Sequence, residues 1–250
     1  MRSFERKLDR TLDHLGVLQA LSQRFFEREP CGIILECDVQ AREHVLYFRA
    51  WEDPPAEFAS VAAECFHNLR QALDHIAYRL AITISGTDPP PNESSIYFPI
   101  AGTPQQFEGK LTSSFGSRQG IPTDIVTVLE RAQPYNGGQW TLLSILDDLD
   151  NFDKHRFAPI VATGGLLPSF KMAFNVTSLN GLRLGPVKAD TEILRFGLGP
   201  DSTMEMEFPV TSLIAFAEGR PGHGHPVIDL LWRLRELIRH DIAEPLDASL

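Results

Sequence analysis

PAEFASVAAECFHNLRQALDHIAYRLAITIS, residues 55–85, is the longest stretch of this chain in which apolar side chains recur at helical spacing. Seven apolar residues, three or four positions apart, form one stripe along it: Phe58, Ala62, Cys65, Leu69, Leu73, Ile76 and Leu80. Side chains at this spacing share one face of an α-helix and are buried together. Because Pro54 and Pro55 open the stretch and Gly86 follows it, we predict one long helix over 55–85.

The segments on either side of this helix differ in the spacing of their apolar residues. Upstream, residues 3–28 have apolar residues at helical spacing, and residues 31–51 alternate as a β-hairpin does. Downstream, residues 86–122 are rich in Pro, Ser, Gly and Thr, which predicts a long ordered loop with room for one short helix. Two further helices are expected, from a capping Thr123 to Ala132 and over 139–155.

The last third of the chain is predicted to be rich in β-structure. Residues 157–211 have the pattern of four or five strands, and Asn180-Gly181 is the strongest hairpin signal. A final helix is expected over 226–244. Runs of helices and runs of strands, rather than strict alternation, are typical of an α+β fold.

We therefore predict a single α+β domain over residues 1–250, with a helical bundle packed beside one antiparallel β-sheet. Its helical part is 1–156, which contains the hairpin 31–51. Its β-rich part is 157–211, and the C-terminal helix is 226–244. The early hairpin is expected to join the late strands.

Composition excludes several classes of protein. The formal net charge is −10, which argues against a broad basic surface for nucleic acid but leaves room for a local basic pocket. No apolar stretch is long enough to cross a bilayer, and Met1–Leu8 lacks the apolar core of a signal peptide. Cys31, Cys37 and Cys65 form no C-x-x-C pair. We expect a soluble cytoplasmic protein with reduced cysteines and no membrane partner.

The long helix has an unusual density of polar side chains. His67, Arg70 and Asp74 share one face, because they lie three and four positions apart. A second stripe is formed by Glu64, Asn68, Gln71, His75 and Arg79. A helix that is polar on two sides either faces solvent widely or lines a polar cleft.

A second polar cluster lies near the end of the helix predicted over 139–155. Asp147, Asp148 and Asp150 crowd one turn, and Lys154, His155 and Arg156 follow. Like charges at this density repel one another and need cationic partners, such as Arg70 or a metal. The candidate site therefore combines the two clusters, and its residues are Arg70, His75, His67, Asp74, Lys154 and His155.

Arg70 and His75 form an R-x4-H pattern, which resembles the signature of the HEPN superfamily. That resemblance implies a helical-bundle, metal-independent endoribonuclease of the toxin or defence kind, with RNA as substrate and no cofactor. In the family the two residues act together, commonly at a homodimer interface. Carried over, Arg70 holds the scissile phosphate and His75 is the acid or base for attack by the ribose 2′-hydroxyl, with help from His67, Lys154 and His155.

The wider pattern also resembles uncharacterised bacterial proteins. It consists of His67-Asn68-Leu69-Arg70-x-Ala72-Leu73-Asp74-His75, with Asn151-x-Asp153-Lys154-His155-Arg156 downstream. This resemblance implies no known activity.

Two alternatives remain open on the residues themselves. In the first, the cluster is a structural network in a non-catalytic binding or regulatory protein whose partner is unknown. Arg70 then pairs with an acid between Asp147 and Asp153, and Asp74 or Glu64 pairs with Lys154 or Arg156.

In the second alternative, the chain is a metal-dependent hydrolase. Glu64-x-x-His67 resembles half of a di-iron motif, and His67, His155 and Asp148 could form a mononuclear site. The common nucleotide-binding and serine-hydrolase motifs are missing from the sequence.

Overall fold

The structure is a computed structural model, in which the chain forms two compact units. The first unit comprises Met1–Leu18, Ala59–Ala158 and Val227–Leu250, and the second comprises Gln19–Phe58 and Pro159–Pro226. The residues that the structure describes are 2–153, 160–166, 169–171, 176–181, 185–187, 189–199, 205–207, 210–217, 219 and 221–249. The predicted α+β class is confirmed, and the single-domain organisation stays a prediction.

The helices of the described residues follow the predicted order. They are α1 (Ser3–Phe26), α2 (Ala56–Ser85), α3 (Pro104–Phe115), α4 (Thr123–Arg131), α5 (Thr141–Asp153) and α6 (Val227–Glu236). The helix predicted over 226–244 is α-helical only in its first half. It continues as a π-helix over Leu237–Ala243 and a 3-10 helix over Glu244–Ser249. None of the described helices combines the length and apolar character needed to cross a membrane.

The apolar stripe of α2 lies in the core of the first unit, as its spacing predicts. Leu69, Leu73, Ile76 and Leu80 are completely buried. The other helices of this unit contribute the same kind of stripe, with fully buried side chains at Leu15, Phe107, Leu111, Leu129, Leu143, Leu146, Leu230 and Leu234. Burial of apolar surface at about 25 cal/mol per Å² is what holds these helices together.

The helix α3 gives the long predicted loop a regular element. Thr103 caps it, since its hydroxyl oxygen accepts a hydrogen bond from the Gln106 amide at 3.2 Å, and Pro104 occupies the first turn. The helix ends at Phe115, and Gly116 caps it with a positive φ of 83°, which suits glycine. The predicted short helix is therefore α3, and the segment also contains two 3-10 helices, Glu93–Ser95 and Arg118–Gly120, which were not predicted.

The cap predicted for α4 is wrong. Pro122 occupies the capping position, and Thr123 is already inside the first turn, where its carbonyl accepts a bond from the Thr127 hydroxyl at 2.7 Å. A threonine with helical backbone angles cannot turn its hydroxyl back to cap the same helix.

The described strands form three antiparallel groups. The strands are β1 (Cys31–Asp38), β2 (Glu43–Ala50), β3 (Ile160–Leu166), β4 (Ser169–Lys171), β5 (Val176–Asn180), β6 (Gly185–Val187), β7 (Thr191–Leu198), β8 (Glu205–Glu207) and β9 (Val210–Phe216). They are ordered β1-β2-β7-β5, β6-β3-β9 and β4-β8. The early hairpin therefore joins a late strand, as predicted, and the two share a core that includes Phe48 and Phe196.

Three predictions about the β-rich part need correction. The described strands belong to three sheets instead of one, and seven of them lie between 160 and 216 instead of four or five. Asn180-Gly181 does not join a paired hairpin, because β5 pairs with β7 whereas β6 pairs with β3. Gly181 has the expected turn conformation, with φ 75°, but the strand partners are set by packing rather than by the turn.

Candidate functional site

The candidate site is formed by α2, α5 and the loop segment Phe98–Ala101, all of which belong to the first unit. Arg70 and Asp74 lie one turn apart on α2 and form an ion pair, as their spacing of four predicts. On α5, Asp147 pairs with Arg70, and Asp150 pairs with His67. The structure thus unites the α2 face that carries His67, Arg70 and Asp74 with the acidic turn of α5.

All three guanidinium nitrogens of Arg70 are engaged by oxygens of the chain. Nε lies 3.3 Å from Asp147 Oδ1, and Nη1 lies 3.0 Å from Asp74 Oδ1 at angles unsuited to a hydrogen bond. Nη2 donates to the Phe98 carbonyl at 3.4 Å. The side chain is only 14% exposed. The interpretation that Arg70 pairs with an acid between Asp147 and Asp153 is confirmed.

Asp74 binds the other backbone polar group of the same loop residue, Phe98. Its Oδ1 accepts a hydrogen bond from the Phe98 amide at 3.0 Å, so Asp74 and Arg70 together bind both backbone polar groups of Phe98. Burial raises the pKa of the Asp74 carboxyl above its usual range. Arg70 and the Phe98 amide favour the ionised form but do not cancel the effect of burial.

The raised pKa of Asp74 predicts how the Asp74→Asn variant will compare with the native chain as pH changes. Asparagine keeps an oxygen that accepts from Phe98 but does not titrate. Between the raised pKa and the ordinary value of 3.8, the folded native chain keeps a proton that the unfolded chain has released. We therefore expect the native chain to gain stability relative to the variant as pH falls through this window. Urea denaturation of both proteins from neutral pH to about pH 4 measures the difference. A difference that shrinks on acidification contradicts the expectation.

His67 joins α2 to α5 independently of Arg70. Its Nδ1 lies 3.0 Å from Asp150 Oδ1, and its Nε2 lies 2.7 Å from Gln71 Nε2. Asp150 is 6% exposed, whereas the His67 side chain is half exposed. A neutral imidazole that donates from Nδ1 and accepts at Nε2 satisfies both contacts.

Asp148, the third acid of this turn, forms no ion pair with any described residue. Burial, with a smaller contribution from neighbouring Asp147, raises the pKa of the Asp148 carboxyl. Lys154, His155 and Arg156, which were predicted to belong to the site, lie outside the described residues. The pairings expected for Lys154 and Arg156 therefore stay predictions.

The structure does not bring His75 to Arg70. Arg70 contacts α5 and the loop, whereas His75 lines a groove with Ser3, Arg6 and Lys7 of α1. Residues five positions apart on a helix project about 140° from one another, so the two side chains leave α2 in different directions. Arg70 and His75 therefore lie in different surroundings within one chain, and the expectation that they act together stays a prediction.

The loop segment itself was missed as part of the site. The backbone polar groups of Phe98 are bound by Arg70 and Asp74, and Lys110 Nζ donates to the Ile100 carbonyl at 2.5 Å. Gln133, which is completely buried, bonds Ala101 and Pro99 at 2.8 Å each. The stretch from Ile96 to Ile100 is mostly apolar, and nothing in its pattern indicates polar partners for its backbone.

A cavity of about 220 Å³ lies between Arg70 and this loop. It is also lined by Lys110, Tyr97 and three serines, Ser95, Ser113 and Ser114. Both cations at its wall are already bonded to oxygens of the chain. The cavity is therefore better suited to ordered water than to a charged substrate.

A metal site at Glu64 and His67 is not formed by the described residues. Glu64 lies 3.4 Å from His14 of α1, whereas His67 contacts Asp150 and Gln71. Within the described part of the chain, no three His, Cys, Asp or Glu side chains are placed to hold a metal ion. The mononuclear alternative also needs His155, which is outside that part.

Comparison with family models, curated proteins and solved structures gave no match to this chain. The HEPN resemblance and the likeness to uncharacterised bacterial proteins therefore stay predictions.

Proposed function

We propose that this chain is a non-catalytic, cytoplasmic binding or regulatory protein, in which the network around Arg70 is structural. One observation carries the proposal: Arg70 and Asp74 bind the carbonyl and the amide of the same loop residue, Phe98, while Asp147 binds Arg70 from α5. The network thereby links two helices to a buried loop. Holding that loop and α5 against α2 accounts for the described ion pairs and hydrogen bond of Arg70.

The chemistry of arginine also favours a structural role. An arginine that holds a phosphate does so with two parallel N–H groups that point at the ligand. In Arg70, each nitrogen already lies within 3.4 Å of a chain oxygen. Moving the guanidinium to a substrate would leave Asp74 and Asp147, both largely buried, without their counter-ion. An uncompensated, largely buried carboxylate is strongly destabilising.

A nuclease assay tests the proposal against the ribonuclease hypothesis. We expect no cleavage when single-stranded RNA is incubated with the purified protein in EDTA. The variants Arg70→Lys and His75→Ala are assayed beside it, and circular dichroism establishes that each is folded. Arg24→Lys, on a different helix, is the matched control for the arginine change. RNA cleavage that is lost in Arg70→Lys while its melting temperature stays that of the native chain would overturn the proposal.

A further inference from the structure

The strand β1 is an open edge of its sheet. It lies at the end of the order β1-β2-β7-β5, and β2 is the only described strand that pairs with it. Four consecutive residues, Ile34 to Cys37, are exposed. The side chains of Ile34 and Leu35 point to opposite faces of the sheet, so each face of this edge has an exposed aliphatic group. Trp51, which is 59% exposed and has its ring against Gly32, extends the apolar surface.

The backbone of β1 determines which residues can bind a further strand. The Trp51 amide donates to the Pro30 carbonyl at 2.9 Å, and the pairing with β2 continues from there along the whole strand. In an antiparallel ladder every second pair is hydrogen-bonded, so the even-numbered residues of β1 bond to β2. The amides and carbonyls of Ile33, Leu35 and Cys37 therefore point away from β2, and no described residue bonds to them.

This edge lacks the features that keep edge strands from pairing with other chains. Protected edge strands are short or bulged, or contain lysine or proline. β1 has eight residues in regular register and contains neither lysine nor proline. The opposite edge of the same sheet, β5, has five residues and a register shift between Val176 and Ser178. This contrast within one sheet is most simply explained by a further strand that covers β1.

The charges of β1 favour an uncharged strand as its partner. Its two acidic residues are already bound by arginines of the same chain, Glu36 by Arg49 at 2.7 Å and Asp38 by Arg195 at 3.0 Å. The edge therefore offers no unpaired charge to a basic or an acidic peptide. An apolar edge whose charges are compensated is best covered by another edge of the same kind, and β1 of a second copy is one.

We propose that two copies of this chain pair antiparallel through β1, with the twofold axis at Ile34, so that their sheets join into one. In this register Ile34 faces Ile34 of the second copy, and Ile33 faces Leu35 of the second copy. Glu36 faces Gly32, so no like charges are opposed. All the outward amides and carbonyls then lie in hydrogen-bonded pairs. An axis at Leu35 would instead place Glu36 opposite Ile34, an acid against an aliphatic side chain.

This pairing closes after two copies. The contact is isologous, because the same strand is used on both sides. The joined sheet ends in β5 on either side, and the short, bulged β5 is a poor template for a further strand. The inference goes beyond the proposed function and does not depend on it, since β1 belongs to the second unit and the Arg70 network to the first.

Analytical ultracentrifugation of the full chain tests the pairing, and we expect the native chain to sediment as a dimer. Ile34→Lys should raise the dissociation constant of the dimer at least about a hundredfold, because two ammonium groups would face each other at the axis. Ile34→Glu should have the same effect through two carboxylates. An equimolar mixture of the two variants should recover the dimer, since opposite charges then meet. Leu179→Lys is the matched control, because Leu179 is 50% exposed on the other edge strand, and should remain dimeric.

Leu35→Pro separates the backbone contribution from that of charge. It removes an outward amide that does not bond to β2, so the variant should fold, as circular dichroism and its melting temperature will establish, and should sediment as a monomer. The inference is overturned if the native chain is still monomeric at about 0.1 mM, or if the folded Ile34→Lys and Leu35→Pro variants remain dimeric. Monomeric Ile34→Lys and Ile34→Glu variants that fail to associate when mixed would refute the axis at Ile34.

Discussion

Replacing Gln133 by leucine is expected to lower the free energy of unfolding by about 4 kcal/mol, since it leaves three buried backbone groups without hydrogen bonds. The Gln133 amide accepts from Ala101 and donates to Pro99 and Leu129, at 2.7 to 2.8 Å. Leucine fills a similar volume, so the loss reflects hydrogen bonding rather than a cavity. Urea denaturation followed by circular dichroism measures the change.

Gln139→Leu is the matched control for this prediction. Gln139 is exposed, six residues further along the chain, and makes no described side-chain hydrogen bond. The control should therefore change the free energy of unfolding by less than about 0.5 kcal/mol, as surface substitutions usually do. Equal effects of the two leucines would show that the Gln133 bonds contribute little.

The second large effect is expected from Arg70→Ala, which should cost about 3 kcal/mol of stability. The change leaves Asp74 and Asp147 without their shared cation and removes the donor to the Phe98 carbonyl. Asp74 and Asp147 are 25% and 29% exposed, so solvent screens part of the loss and the value lies at the lower end for buried pairs. In a thermal melt, the midpoint should fall by about 5 to 10 °C.

Arg10→Ala separates this effect from a general loss of positive charge. Arg10 is exposed and has no described ion pair, so its removal should leave the melting temperature unchanged or slightly higher. A double-mutant cycle with Asp147→Ala should then give a coupling energy of about 1 to 2 kcal/mol for the contacting pair. Strictly additive effects of the two changes would mean that Arg70 and Asp147 do not interact.

Helices were predicted well because their apolar periodicity is local. The bounds of α1 and α2 fall within two residues of the predicted ones. The short strands were not predicted, since three-residue strands such as β4 and β8 contain too few side chains to show an alternation. The partner of β5 depended on packing against a strand more than ten residues away, which no turn signal encodes.

The sequence predicted only part of the candidate site. The crowded carboxylates of α5 repel one another, which predicted a cationic partner nearby, and Arg70 is that partner for Asp147. The R-x4-H pattern does not encode the direction in which each side chain leaves the helix, so it could not predict that Arg70 and His75 have different neighbours within one chain. The role of Gln133 could not be foreseen, because a buried glutamine and an exposed one look the same in sequence.

The segment Phe98–Ala101, whose backbone is bound by side chains, also determines where residues can be inserted into this chain. Its backbone is bound by four side chains: Arg70 and Asp74 from α2, Lys110 from α3, and Gln133, which follows α4. One inserted residue would move every later amide and carbonyl away from its fixed partner. Residues 91–95, just before it, are exposed. Natural or engineered insertions in this region should therefore be confined to 91–95, where a tag or a reporter peptide can be added without loss of the fold.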